Sequence, residues 1–224
     1  MSADRLRLFQ LVSPALPVGA FSYAEGLEVL VQGGRLASAA AVEAWLLAEL
    51  ERGALTLEAA ALAPLMEALS GWRAGVAGAE AAVRELDGWL LAQREAAEMR
   101  AQQRQMGRSL LQLLADLGWP LPTPMALGWP AAWAWAGLCL DLPAAAVLEA
   151  YLYGWCANQI SAAVRLVPLG PTEAQRLQLA LAPRLAERAA ALALSDPRAL
   201  RSGGVGAGLA QLGHAELYSR LFRS

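Results

Sequence analysis

The 224-residue chain contains no lysine and only one histidine, and these absences exclude several kinds of function. All 18 basic residues are arginine, and the net charge is -2, so the strong positive field of a nucleic-acid-binding protein is missing. His214, Cys139 and Cys156 do not form a zinc-type cluster, so we expect no metal site and no cofactor in a single chain. A ligand from one of them shared across a dimer axis is the open alternative.

Residues that favour β-strands are also scarce. Isoleucine occurs once, at Ile160, whereas alanine and leucine dominate the chain. This composition predicts an all-α fold, a single-domain helical bundle of about nine or ten helices over residues 1–224. Helix starts are expected at four capping residues: Ser38, Thr56, Asp141 and Thr172. The glycine-rich stretch 195–213 predicts a mobile loop, followed by a C-terminal docking tail at 214–224.

Residues 117–140 carry no charge and are long enough to raise the possibility of a membrane segment. Four prolines, at positions 120, 122, 124 and 130, interrupt the first half of this stretch. We therefore favour a buried helix after a proline-rich linker, and keep a membrane-associated helical protein as the alternative. The beginning of the chain has no apolar core of a signal peptide, so we expect a cytoplasmic protein with no membrane partner.

A proline-rich turn near the beginning of the chain is its most distinctive local feature. Residues 13–23 read Ser-Pro-Ala-Leu-Pro-Val-Gly-Ala-Phe-Ser-Tyr. Pro17 fixes its φ angle, Gly19 permits a positive one, and Phe21 and Tyr23 follow at once. Such a turn is either a plain helix connector or a rigid surface for a partner.

Two polar stripes are expected on otherwise apolar helices. Gly154, Asn158, Ser161 and Arg165 share one helical face, and Arg100, Arg104 and Arg108 share another. The first stripe indicates either contacts with neighbouring loops or a buried polar interface with a partner. The second indicates a solvated face with nearby carboxylates, or a docking stripe.

Motifs of the common catalytic sites are missing. The sequence has no Gly-x-Ser-x-Gly elbow, no phosphate-binding loop and no His-Glu-x-x-His, so we expect a protein that is not an enzyme. An enzyme with a pocket around Tyr153, Asn158 and Arg165 is a further alternative.

Several blocks of the sequence together resemble one protein family, the urease accessory protein UreF. These blocks are residues 13–23 with Gly26-Leu27-Glu28, residues 107–111, residues 151–153 with Asn158, residues 161–170, and residues 214–224. The resemblance is collinear and covers nearly the whole chain. Its first and last blocks are specific in combination, whereas the alanine- and leucine-rich helices between them carry little information.

The resemblance implies a helical cytoplasmic homodimer without chemistry of its own. UreF-like proteins form a complex with UreD, also called UreH, and with the GTPase UreG, and this assembly loads nickel into apo-urease. The expected function is therefore an adaptor that bridges UreD/UreH and UreG and regulates GTP-dependent nickel delivery. The apolar composition agrees with a dimer, because it suggests more buried surface than one copy provides.

We expect the partners to bind the two ends of the chain. The GTPase contact is assigned to a dimer face containing Phe21, Tyr23 and Glu28, and the UreD contact to a tail that lies free until it is bound. The alternative for the tail is a structural strap whose Phe222 fills the protein's own core. The full set of predicted partner-binding residues is Pro17, Gly19, Phe21, Tyr23, Glu28, Arg100, Arg108, Asn158, Arg165, His214, Tyr218, Arg220, Phe222 and Arg223.

Overall fold

Ten α-helices and two short 3₁₀ helices make up the computed structural model, which describes residues 2–224, and no strand occurs in that range. The α-helices are α1 (Ser2–Leu11), α2 (Leu27–Gln32), α3 (Ala39–Arg52), α4 (Ala54–Arg73), α5 (Ala79–Ala92), α6 (Ala97–Asp116), α7 (Trp129–Cys139), α8 (Ala144–Leu166), α9 (Pro171–Leu192) and α10 (Val205–Gly213). The 3₁₀ helices are Ala20–Ser22 and His214–Glu216. The predicted all-α fold and its number of helices are confirmed.

The core lies around α4 and α7. Helix α7 is buried on all sides from Pro130 to Gly137, which explains why its sequence is apolar without periodicity. Helix α4 packs against α3, α5, α7 and α8, and α6 lies along the other side of α7. Helix α9 covers α8, and α10 packs against α2. This arrangement brings the beginning and the end of the described chain to the same side of the bundle.

Three of the four predicted helix caps are wrong. Ser38 does cap α3, since its hydroxyl oxygen accepts the Ala41 N–H at 3.3 Å. Thr56, by contrast, lies inside the first turn of α4 and donates its hydroxyl to the Gly53 carbonyl. Asp141 occupies a turn with a φ of +55°, two residues before the Pro143 cap of α8. Helix α9 begins at Pro171 after a glycine, so Thr172 is already helical.

The predicted loop at 195–213 is wrong for its second half, which forms α10. Ala207 and Ala210 face inward and are buried, whereas the larger apolar residues of this helix face outward. Gly26 permits the close contact, because a Cβ there would lie 2.8 Å from the backbone nitrogen of Gln211. Packing against α2 therefore stabilises a helix that its glycine content disfavours.

The segment considered for a membrane divides into a linker and the buried helix α7. Residues 117–128 form turns and extended chain, and α7 spans only 11 residues. Among residues 2–224, every helix is too short or too polar to cross a bilayer. This finding does not support the membrane-associated alternative.

Candidate partner-binding surface

The turn at 13–23 is closed by its own backbone and leaves one aromatic ring in solvent. Leu16 donates its N–H to the Ser13 carbonyl at 3.0 Å, and Gly19 adopts a φ of +74°, which glycine reaches without strain. Phe21 is 70% exposed, whereas Tyr23 is buried. Of the two rings expected to act as interface anchors, only Phe21 is exposed, and Tyr23 packs inside the protein.

Helix α8 fixes this turn from below. The Asn158 side chain donates Nδ2–H to the Tyr23 carbonyl at 3.0 Å, and the Arg165 guanidinium donates to the Phe21 carbonyl at 3.4 Å. Asn158 and Arg165 are seven residues apart and so lie on the same side of the helix, as their spacing predicted. Both side chains donate to backbone carbonyls of the chain's own turn. The stripe therefore makes contacts with a neighbouring loop, which is the first of the two interpretations.

Residues 217–224 form a segment, here called the strap, that crosses the turn and α2. The buried Glu28 carboxylate accepts the N–H groups of Leu221 at 2.8 Å and Phe222 at 3.1 Å. Arg223 donates its N–H to the Ser22 carbonyl at 2.9 Å. Carboxylate acceptors make strong hydrogen bonds to backbone N–H groups, so Glu28 is the main anchor of the strap.

Phe222 is the side chain that joins the strap to the core. It is 4% exposed, and the Arg165 guanidinium lies 4.6 Å from the centre of its ring, a cation–π distance. The prediction that the tail lies free is therefore wrong for this residue, and the strap alternative is the observed one. Phe222 follows the end of the glycine-rich stretch 195–213 by nine positions, and the sequence around it gave no local signal of its burial.

A histidine between two carboxylates holds the strap at its beginning. His214 is completely buried, its Nδ1 lies 2.7 Å from Glu98, and its Nε2 lies 3.6 Å from Glu28. Arg220 pairs with the other oxygen of Glu98 at 2.7 Å. Glu98 on α6 thus pairs with His214, just before the strap, and with Arg220 inside it.

Several apolar side chains remain exposed around the strap. We call them the docking surface, and they are Phe21, Val205, Leu209, Leu212, Tyr218 and Leu221. Tyr218 is fully exposed, and the neighbouring Ser219 carbonyl accepts a hydrogen bond from Gln32 on α2. The backbone beneath these side chains is held by the contacts described above, so the surface is apolar and preorganised.

The remaining predicted site residues lie in different places. Pro17 and Arg223 are exposed beside the turn, close to the docking surface. Arg100 donates to the Glu95 carbonyl at 2.7 Å just before α6, and Arg108 is exposed further along that helix. Neither arginine belongs to the docking surface.

The residues of the enzyme alternative do not share a pocket. Tyr153 lines an apolar groove between α1, α8 and α9, while Asn158 lies beside a separate cavity under the turn. Arg165 donates to the Phe21 carbonyl and packs against the Phe222 ring. The structure therefore does not support the predicted catalytic pocket around these three side chains.

A buried polar network lies beneath the surface. It was not predicted from the sequence. Arg94 donates two hydrogen bonds to Glu58, which also accepts from Gln103 at 3.0 Å and from the Tyr151 hydroxyl at 2.7 Å. Burial lowers the pKa of Arg94, but the adjacent Glu58 carboxylate more than reverses this and holds the pKa above its usual range. Burial also raises the pKa of Tyr151, so its hydroxyl keeps the proton that it donates.

Comparison with known proteins identifies the family. The UreF family model matches residues 36–182, well over half of the chain. A urease accessory protein UreF from Alkalilimnicola ehrlichii is 43% identical over 97% of this chain and 95% of its own length. Those of Thermosynechococcus vestitus and Methylibium petroleiphilum are each 41% identical, over 98% and 100% of this chain and 97% and 95% of their own. The chain belongs to the UreF family of urease accessory proteins.

UreF membership places the chain in urease maturation and confirms the resemblance inferred from sequence. The first and last blocks that carried the resemblance, residues 13–23 and 214–224, meet in space through the hydrogen bonds to Glu28 and Ser22. The two most distinctive blocks of this UreF sequence thus form one surface.

Proposed function

We propose that the protein is an adaptor that joins UreD/UreH to the GTPase UreG and regulates GTP-dependent delivery of nickel, its cargo, to apo-urease. The observation that carries this proposal is the docking surface, a set of exposed apolar side chains whose backbone is held by Glu28, Asn158 and Arg165 at the turn and the strap, and by packing against α2 in α10. Rigid aromatic and aliphatic side chains lose little conformational entropy on binding, so they are effective interface anchors. The adaptor role requires no reaction on this chain.

The two parts of the docking surface suit two partners. Phe21 lies on the proline-rich turn, and we assign it to UreG, as expected from the sequence. Val205, Leu209 and Leu212 form the outward face of α10, and we assign this part, together with Tyr218 further along the chain, to UreD/UreH. In this proposal Tyr23, Glu28, Asn158 and Phe222 act indirectly, by holding the backbone of the surface in place.

The test of the UreG contact is a pull-down of UreG by wild type and by the Phe21→Ala variant, in the presence of UreD. Losing a central aromatic anchor costs about 2 kcal/mol, so UreG retention is expected to fall at least tenfold. Val76→Ala is the matched control, because Val76 is exposed on another part of the surface. Equal retention of UreG by Phe21→Ala and wild type would show that the turn is only a connector.

The UreD contact is tested with the double variant Leu209→Ser and Tyr218→Ala. Both side chains point into solvent, so helicity and melting temperature are expected to stay at the wild-type values. Co-purification with UreD and activation of urease are expected to fall together. A variant that activates urease normally contradicts this assignment.

We also propose a homodimer through the groove between α1, α8 and α9. The groove has a volume of about 310 Å³ and an apolar lining that includes Leu8, Tyr153 and Leu185. Phe9, which lines the groove, is 56% exposed, and Leu6 on α1 and Leu179 on α9, each three positions before a lining residue, are more exposed still. A two-fold axis would place each Phe9 ring in the groove of the other copy, so a second copy of this chain is the natural occupant.

A further inference from the structure

A cavity of about 240 Å³ lies beneath the proline-rich turn, between α6, α7 and α8. At about 30 Å³ for each water-sized group, it has room for roughly eight heavy atoms. The exposed residues Pro14, Phe21 and Ser161 form its rim, so the cavity reaches the surface. Its polar floor and its apolar walls have different properties, and together they define the ligand that fits.

The floor contains a buried carboxyl group that makes no direct ion pair, although its charge, after that of Glu58, helps to raise the pKa of Arg94. Glu25 is 7% exposed and accepts hydrogen bonds from Gln102 at 2.8 Å and from the Trp155 indole at 3.0 Å. Among residues 2–224 no arginine lies within ion-pair distance of it, in contrast to Glu58, which Arg94 neutralises. Glu25 also has a φ of +53°, a conformation that costs a non-glycine residue free energy and is enriched at binding sites.

A second acceptor, buried behind the cavity wall, has no hydrogen-bond partner. Gln103 is 3% exposed, and its Nε2 donates to Glu58. Its carbonyl oxygen Oε1 is buried and has no hydrogen-bond partner within residues 2–224. A buried acceptor without a hydrogen bond typically lowers stability by about 1 to 3 kcal/mol, so the site favours an occupant with N–H or O–H donors.

The walls are aromatic and aliphatic. Trp129, Trp133 and Tyr151 form a continuous aromatic group, with ring centres 5.2 Å and 5.7 Å apart along the series. Aromatic rings attract organic cations, whereas Mg²⁺ and similar ions need several oxygen ligands and keep bound water. A carboxyl group beside aromatic walls is the combination that suits an alkylammonium or a guanidinium ion.

We propose that this cavity binds a small organic nitrogen cation, of the alkylammonium or guanidinium class and no larger than about eight heavy atoms. Its charge pairs with the Glu25 carboxylate, its carbon atoms contact the indole rings, and an N–H group donates to Gln103 Oε1 once that side chain turns toward the cavity. This ligand site shares only Phe21, at its rim, with the docking surface, and it does not depend on the adaptor role.

The test is isothermal titration calorimetry of the isolated full chain with methylammonium, guanidinium and trimethylammonium chloride, at constant ionic strength set with sodium chloride. Saturable binding of at least one of these probes is expected. The Glu25→Gln variant, which removes the charge and keeps the size, is expected to weaken binding at least tenfold. Asp87→Asn is the matched control, because Asp87 is also a buried carboxyl group but does not line the cavity.

A rim variant keeps the test valid if Glu25→Gln fails to fold. Ser161→Trp places a large side chain at the mouth of the cavity on the exposed side of α8, and it is expected to reduce binding with a wild-type helical spectrum. Absence of saturable binding by all three probes would mean that the cavity holds water only and overturns the proposal. Saturable, Glu25-dependent binding of Ni²⁺ or Mg²⁺, with no saturable binding of the organic probes, also overturns the proposal.

Discussion

At the scale of single residues, Glu28 determines whether the strap stays in place. Its carboxylate is the acceptor for two consecutive backbone N–H groups, those of Leu221 and Phe222. The Glu28→Ala variant leaves both donors without their partner, at a cost of about 1 to 3 kcal/mol for a buried group. Hydrogen exchange of these two amides is therefore expected to accelerate about 10- to 100-fold.

Glu67→Ala is the control for this experiment. Glu67 is exposed on α4, so its loss is expected to leave exchange in the strap unchanged. Slow exchange of Leu221 and Phe222 in Glu28→Ala would mean that Phe222 burial alone holds the strap.

Glu49 makes the stability of the protein depend on pH. Burial, with a smaller contribution from nearby Glu25, raises the pKa of Glu49 to about 7 from an ordinary value of 4.5. Between these two values the folded chain holds a proton that the unfolded chain has released, so this group lowers stability as pH rises through that range. At pH 8 the Glu49→Gln variant is expected to be more stable than wild type by roughly 3 kcal/mol.

The measurement is urea denaturation of both proteins between pH 5 and pH 8. Burial also raises the pKa of Asp87, to about 6, so the wild-type curve contains a second contribution of the same sign. The difference between wild type and Glu49→Gln isolates the first one. Parallel stability curves for the two proteins would show that Glu49 titrates normally.

Residues of the candidate site were predictable where the helical period alone decides their position. Asn158 and Arg165 were placed on one face of α8 correctly, but their acceptors are backbone carbonyls of a distant turn, which no side-chain pattern reveals. The ion pair between Glu58 and Arg94 was missed because the two residues are 36 positions apart in unremarkable helical sequence. Long-range pairing of this kind is decided by tertiary packing.

At the scale of secondary-structure elements, the contact between α6 and the start of α7 depends on one glycine. A Cβ at Gly107 would lie 2.3 Å from the Leu127 carbonyl oxygen and 2.8 Å from the Gly128 carbonyl carbon. Gly107→Ala therefore forces the two backbones apart, and we expect a loss of about 2 kcal/mol, or a Tm lower by about 4 to 8 °C for a chain of this size.

Gly88→Ala is the matched control for that variant. Gly88 lies inside α5 with open space around its Cα, so alanine there is expected to raise stability by about 0.5 to 1 kcal/mol. Opposite shifts of Tm for the two variants are the expected result of differential scanning calorimetry. If Gly107→Ala had the same Tm as wild type, α6 and α7 would have to move apart without loss of stability.

Helix content was predictable from composition, whereas helix ends and α10 were not. The scarcity of β-branched residues left no alternative to an all-α fold. Thr56 and Asp141 are good capping residues, yet Thr56 lies inside α4 and Asp141 lies before α8. The neighbouring Gly53 and Pro143 occupy the N-cap positions instead. Residues 205–213 form a helix only because α2 offers a surface on which their small side chains pack.

At the scale of the whole molecule, the groove lined by Tyr153 predicts self-association. The Phe9→Glu variant places a charge at the centre of the proposed two-fold interface, where it would have to be buried without a partner. Wild type is expected to have the mass of a dimer by light scattering at micromolar concentration, and Phe9→Glu that of a monomer with an unchanged helical spectrum. A monomeric wild-type protein, or a dimeric variant, contradicts this interface.

The hydrogen bond between Glu28 and Phe222 joins residues that are 194 positions apart. During synthesis at about 5 to 20 residues per second, Glu28 is made roughly 10 to 40 s before the amide that it will accept. Such distant contacts form late because a long loop must first close. The docking surface is therefore complete only once residue 222 has been made, so unfinished or C-terminally clipped chains are expected to lack a complete one.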